Sequence, residues 1–417
     1  VKALLLERLP HRFAAARLAA IAGGSGFGVG VGPLRYTEAE PPAAPGAGWV
    51  RLRPRLAGIC GSDLATLDGA SSRYFETIVS FPFVPGHEIV ADALDGEFAG
   101  ERVVLEPVLG CTARGIDPPC PACASGERQR CERLAFGHLH PGLQTGYCTD
   151  TGGGWSEELV AHPSQLHRVP ADLSDEEAVL VEPTACAIHA ALRGRPGPTD
   201  AVVVIGAGTL GLLLTAALGA YAPTSSLTVV ARHPVQREFA RTFGATAVVP
   251  EGALPRSVRR LTGSLALRAT NGAIARLTGG ADVVFDCVGS SSSLTQALEV
   301  VRPGGRVVLV GMPGTLRVDL APAWQREIEL VGAYAYGNEI LPGAHAPRST
   351  FSLALDLVRT GGLGGLVSAY YPLDRYEEAV HHAAEAGRRG AVKVVFDLRR
   401  SRPGWQRSND IDAKEPQ

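Results

Sequence analysis

Net charge is the first thing this 417-residue chain lacks: 40 Lys and Arg against 42 Asp and Glu leave a formal −2. So balanced a chain gives no electrostatic reason to expect nucleic acid or an anionic membrane as a partner. Lysine is almost missing, present only as Lys2, Lys393 and Lys414, so arginine carries the positive charge. With 50 glycines and abundant alanine, that bias reads as GC-rich coding rather than function. Long apolar runs are also few. Residues 11–22 (HRFAAARLAAIA) have the outline of a signal peptide, but Arg17 breaks a run that is already short. Residues 201–222 (AVVVIGAGTLGLLLTAALGAYA) carry no charge and could span a bilayer. Their β-branched start and three central glycines fit a buried strand, a tight turn and a buried helix better. A soluble, cytoplasmic protein is expected, with no membrane partner.

Cysteine is sparse as well, yet four of the eight fall in residues 111–131, CTARGIDPPCPACASGERQRC. In a reducing compartment stable disulfides are rare and clustered cysteines more often bind metal. Cys111, Cys120, Cys123 and Cys131 are spaced C-x8-C-x2-C-x7-C. Four thiolates on a compact loop suit tetrahedral Zn²⁺ with no open position, which makes a structural site. Disulfides compete with this reading, and so does a redox C-x-x-C at Cys120 and Cys123. The redox motif usually opens a helix in a thioredoxin-like context, whereas this stretch is a Pro/Gly loop.

With 45% apolar residues and room for two or three domains of about 150 residues, the chain can bury sizeable cores. VKALLLE at the start reads as a strand. Residues 11–32, Ala-rich and then Gly-rich, hold no G-x-G-x-x-G and are expected to be a flexible insertion. From Trp49, short strands alternate with Pro/Gly turns, the pattern of an all-β, barrel-like unit. ADLSDEEAVLVEPTACAIHAALR reads as helical. Beyond it AVVVIGAG, SLTVVAR, TAVVP, ADVVFDCVG and GGRVVLVGMPG are apolar strands separated by helix-length segments. That alternation marks a parallel sheet wrapped by helices.

The glycines of VVVIGAGTLGLLL place Gly206, Gly208 and Gly211 as G-x-G-x-x-G between a strand and a helix, with Thr209 and Leu210 inside the motif. In that context the motif binds a dinucleotide. The first glycine permits the turn, the second admits the pyrophosphate and the third lets helix and strand pack. An acid about twenty residues on should bind the ribose hydroxyl. LTVVARHPVQR instead offers Ala231, then Arg232 and His233. A missing acid beside cations favours NADP over NAD, with Arg237 a further positive charge.

A second, dispersed set is Cys60 in GICGSDL, His87 and Glu88 in VPGHEIV, and Glu182 in VEPTACAIHA. One Cys, one His and one or two carboxylates describe an open catalytic zinc site. Singly, each has an ordinary explanation as a buried Cys, a core His or a solvated Glu.

Taken together, GICGSD, PGHE, the four-Cys lobe, VEP, GAGTLG and FDCVG resemble the zinc-containing medium-chain dehydrogenase/reductase family, the alcohol and polyol dehydrogenases. The likeness runs from GWVRLRP to GAVKVVFD. It implies an α/β fold: a GroES-like β-barrel catalytic domain interrupted by a Rossmann doubly wound parallel-sheet domain. The expected boundaries are 1–172 for the catalytic domain, 173–335 for the Rossmann domain, 336–400 for the return, and a disordered tail at 401–417. By matching position, Cys60 and His87 are implied as catalytic zinc ligands, with Glu182 or Glu88 as the third. Asp63 would orient His87, and Ser62 would bond the substrate hydroxyl and pass on its proton. Lys393 matches a basic position near the cofactor pyrophosphate. The family's four-Cys lobe usually has a shorter first gap, and Ala65 stands where many members carry a relay His. Two zinc ions per chain are implied, with an alcohol or ketone as small-molecule substrate. A homodimer or homotetramer is implied too, with GRVVLVGMPG near its two-fold axis. The alternatives are a zinc-free enone or quinone reductase of the same superfamily and a cofactor-binding protein without turnover.

Overall fold

A computed structural model of the chain describes residues 1–268, 270 and 274–399. The tail expected at 401–417 lies outside the described residues. Two sheets organise the rest. Six parallel strands run in the order Ala247–Val249, Ser226–Val230, Ala201–Ile205, Ala281–Asp286, Val301–Leu309, Glu329–Gly332. In chain order that is 3-2-1-4-5-6, the doubly wound arrangement, in which a ligand crevice forms at the carboxyl ends where the order reverses. Helices cover both faces, so Val202–Ile205 is buried without interruption. That is why its sequence is a continuous apolar run rather than an alternation. The charge-free stretch 201–222 resolves into this strand and the helix Thr209–Tyr221. No helix among the described residues is long and apolar enough to cross a membrane.

The other sheet has seven strands and is mainly antiparallel. Val50–Gly58 pairs with Ile89–Ala93 on one side and Lys393–Asp397 on the other, and Leu159–Ala161 adds to its start. Val50, Leu52 and Pro54 face differently from the exposed Arg51 and Arg53, the period-two burial of a strand with one wet face. Val367–Tyr371 and Lys393–Asp397 thus return to a sheet begun more than 300 residues earlier. Between the sheets lies the helix Val181–Gly194. Its Val181, Ala185 and Ile188 share one core with Leu56 and Val90 of the mainly antiparallel sheet, Val202 of the parallel sheet and Leu212 of the helix Thr209–Tyr221.

Val301–Leu309, which holds the start of GRVVLVGMPG, is enclosed by the strands on either side, and Glu329–Gly332 takes the sheet edge. One expectation is corrected. The stretch 11–32 is not a loose insertion. Pro10–Gly23 is a helix with proline in its first turn, and the glycine segment after it is tied down by Asp68. Alanine's high helix propensity and proline's fitness for a first turn account for the helix.

One buried carboxylate clamps the first sheet to its cover. Asp175, capped by Ser174 and Glu177, accepts from Arg55 (2.8 Å), Arg102 (3.0 Å) and Arg399 (3.3 Å). Burial alone would raise its carboxyl, but the three guanidinium groups outweigh it and hold the group below the ordinary range. Removing the anion leaves Arg102 without its carboxylate and draws Arg55 and Arg399 back on Asp92, Glu176 and Asp397 alone. Asp175→Ala is therefore expected to cost about 3 kcal/mol in urea unfolding. Because the folded-state pKa is depressed, this stabilisation is present at neutral pH and fades as pH falls below about 4. The stability gap between wild type and variant should close in that range.

Candidate active site

Strand Val50–Gly58 delivers Cys60 to the start of the helix Gly61–Leu67, where its backbone N–H donates to Asp63 Oδ2 (2.9 Å). Asp63 Oδ1 faces His87 Nδ1 at 3.5 Å and accepts the Tyr147 hydroxyl at 3.4 Å. Asp63 and His87 are both buried. Burial would lower the imidazole pKa, but Asp63 and Cys60 hold it well above its usual value. Asp63 thus sets a negative charge beside Nδ1, which has no closer partner, and leaves the other ring nitrogen for the Cys60 side. The ligand atoms of Cys60, His87 and Glu88 lie within 4.8 Å of one another.

The two glutamates differ. Glu88 forms a buried ion pair with Lys393, whose ammonium also donates to Ile59 O (3.0 Å). Lys393, implied near the cofactor pyrophosphate, lines the same cavity as the glycine loop and has its ammonium on Glu88. Glu182, in the first turn of Val181–Gly194, stands outside the compact trio. Its carboxyl accepts from the Cys186 thiol (3.5 Å), and burial pushes it up to about 7 against the opposing pull of His87. A buried carboxyl with no cation of its own, beside a thiol and an oriented imidazole, is a donor set that fits Zn²⁺.

The four lobe cysteines also come together, their sulfurs within 4.8 Å of one another, and the longer first gap does not displace Cys111. All four are free thiols, and Cys111 and Cys131 sulfurs are 3.7 Å apart. A tetrahedron with 2.3 Å bonds has edges of about 3.8 Å. Backbone N–H groups of Cys120 and Arg133 point at the sulfurs of Cys111 and Cys131 (3.3 and 3.4 Å). The Cys120 thiol is brought down to about 7: burial opposes the shift, but the N–H groups of Glu132 and Cys123 prevail. The lobe fits a closed zinc site.

Gly206 turns the chain at φ +95°, and a Cβ on Gly211 would lie 1.8 Å from Gly206 O. A Cβ on Gly208 would meet nothing within 4 Å, so the space over the loop is open. Thr209, Leu210 and the loop glycines line the same cleft, of about 1930 Å³, as Cys60, Ser62, His87 and Glu182. Pockets for one small ligand are roughly 300–1,000 Å³, and this one has room for a dinucleotide and a substrate together. At its far end Ala231 is buried and Arg232 is exposed, its Nε bonded to Glu251 (2.8 Å). Arg237 is committed to the carbonyls of Ala231 (3.1 Å) and Arg232 (2.7 Å).

Tyr147, Cys186 and Glu251 join the site without having been singled out in the sequence. Cys186 was accessible to reasoning, since it sits four residues after Glu182 on one helix face. Glu251 carries no local signal, because only the sheet order brings it to Arg232.

The chain matches the model of the alcohol dehydrogenase GroES-like domain over residues 46–171 and that of the zinc-binding dehydrogenases over 206–360. It is 29% identical over 360 residues to L-idonate 5-dehydrogenase of Vitis vinifera, covering 84% of this chain and 88% of the relative. It is likewise 29% identical over 366 residues to sorbitol dehydrogenase of Arabidopsis thaliana, with the same coverage. The solved L-idonate 5-dehydrogenase of Escherichia coli K-12 shares the fold, with TM-score 0.65 and 23% identity over 88% of this chain and 95% of that one. The chain belongs to the zinc-containing medium-chain dehydrogenase/reductase family. It is an NAD(P)-dependent, zinc-dependent oxidoreductase of alcohols.

The open space above Gly208 separates folding from binding. Gly208→Ala should leave the thermal midpoint of the free protein nearly unchanged, because the added Cβ meets no atom within 4 Å. Dinucleotide affinity, read by quenching of tryptophan fluorescence, should fall at least tenfold.

Proposed function

We propose that the chain carries two zinc ions, a catalytic one on Cys60, His87 and Glu182 and a structural one on Cys111, Cys120, Cys123 and Cys131. The observation that carries this is the meeting of the Cys60 set and the glycine loop in one cleft. Glu182 is preferred over Glu88 as ligand because Lys393 already neutralises Glu88. When bound, zinc polarises the alcohol or ketone oxygen and the nicotinamide exchanges the hydride. The chain's own residues do the rest. Asp63 keeps His87 oriented, and Ser62 takes the proton that leaves the substrate oxygen as the hydride leaves its carbon. Ala65 cannot relay that proton. Tyr147 lies 3.4 Å from the Thr66 hydroxyl, itself 3.1 Å from Ser71 on the cleft.

NADP is the preferred cofactor in this reading. Ala231 places no anion against a 2′-phosphate, and the exposed Arg232–Glu251 pair is weak enough to be exchanged for one. The thiol-based zinc sites suit a reducing cytoplasm. A homodimer or homotetramer closing on the free edge Glu329–Gly332 is the expected assembly.

Metal analysis of the purified protein should give two zinc ions per chain. Cys123→Ser should lose one of them and lower the melting temperature. His87→Ala should abolish turnover while dinucleotide binding persists, and near-normal rates in that variant would end the zinc mechanism. Of Glu182→Gln and Glu88→Gln, only the first should strip the catalytic metal.

The cofactor assignment has its own measure. Wild-type kcat/KM should favour NADPH over NADH by about tenfold or more, the worth of a charge-assisted bond. Arg232→Leu should erase that ratio by raising KM for NADPH alone. A preference of the wild type for NADH would show that Ala231 has been misread.

A further inference from the structure

The helix Pro10–Gly23 and the glycine segment behind it have no role in the chemistry above, yet they reach the same cleft. Phe13, Gly24, Ser25 and Phe27 line it together with Cys60 and His87. The segment is fixed to the helix that presents Cys60. Asp68 stops that helix, its N–H bonded to Leu64 O, and takes the Ser25 hydroxyl (2.8 Å) and the Gly26 N–H (3.0 Å). A Cβ on Gly69, next along, would lie 2.9 Å from Phe13 O, so the two segments are in close contact. On the other side Phe27 packs against the His381 ring at 5.5 Å. Exposed though much of it is, this segment is held at both ends of its contact with the fold.

From Phe13 a row of rings runs inward to the metal-ligating histidine. Phe13 meets Phe81 edge-on at 6.2 Å, Phe81 meets Phe83 at 5.0 Å, Phe83 meets Tyr147 at 5.3 Å, and Tyr147 meets His87 at 6.0 Å. Ile78 and Val79 line the cleft nearby. The charged pair of this region, Arg73 and Glu76, satisfies itself at the exposed rim (3.0 Å). Against such a wall a polyol would bring a hydroxyl on every carbon, and each one left unpaired costs about 1–3 kcal/mol. An aryl or branched alkyl group would instead be stabilised by burial and ring contact.

We infer that the inserted segment is a specificity element and that Phe13 ends an aromatic wall for the distal part of the substrate. The substrate class is a secondary alcohol, or its ketone, with a bulky apolar group several bonds from the reacting carbon. This rests on the alcohol oxidoreductase activity argued above and narrows it.

The test compares 4-phenyl-2-butanol, 2-butanol and sorbitol on the full-length zinc-loaded enzyme and on Phe13→Ser and Phe13→Leu. In the wild type kcat/KM should be at least tenfold higher for 4-phenyl-2-butanol than for 2-butanol, with sorbitol lowest. Phe13→Ser should lower the value for the phenyl substrate about tenfold, through KM, and leave 2-butanol within twofold. Phe13→Leu should retain most of the preference. A wild type that favours sorbitol, or a Phe13→Ser variant that moves the two simple alcohols equally, overturns the inference while the alcohol activity stands. If the wild type oxidised none of the three, the activity itself would fall, and the inference with it.

Discussion

Asp63 is the carboxylate on which the centre depends. It is buried, it accepts the N–H of Cys60, faces His87 and receives the Tyr147 hydroxyl. One side chain thereby meets the backbone that carries a thiol, an imidazole and a phenol, which come from three separate stretches of chain. A buried anion of this kind is tolerated only when its partners are in place. The same constraint that orients the imidazole therefore also sets the end of Val50–Gly58, the start of the next helix and the loop that bears Tyr147. Metal affinity and local fold are coupled through it.

Much of this was legible because it is local. A glycine triplet between a strand and a helix declares its turn by steric need alone, and four cysteines within one loop can be expected to meet, as they do. Cys60, His87 and Glu182 were legible only as a combination, since each has an ordinary explanation by itself. What escaped is what depends on distance along the chain. Lys393 reaches Glu88 although 304 residues lie between them, and no pattern near either residue announces the pair. Arg232 meets Glu251 because the second and third parallel strands are neighbours, a fact of topology. The helix Pro10–Gly23 is the opposite case. Its alanines and its leading proline carried the signal, and the glycines that follow masked it.

The cleft joins these two kinds of information. Its cofactor half is built from one βαβ turn, so a short motif suffices to describe it. Its substrate half is assembled from the inserted segment, the helix after Cys60, the 70–83 loop and the 147 region, each remote from the others in sequence. Chemistry at the reacting carbon is thus fixed by motifs that many chains can share, while the shape beyond that carbon is written by segments free to change. The ring series from Phe13 to His87 crosses from the second category into the first.

The strand Lys393–Asp397 inserts beside Val50–Gly58, although the whole parallel sheet is made in between. On the ribosome this imposes an order. The six parallel strands are complete once Gly332 has emerged, and they can close as a unit. The first sheet cannot: one flank of Val50–Gly58 stays without its neighbour until almost the last described residues are synthesised. During that interval an apolar strand edge is open to pairing with another nascent chain, the ordinary route to aggregation. The newly made enzyme is therefore most exposed in its metal-bearing half, and its need for chaperone protection should end with the arrival of Lys393.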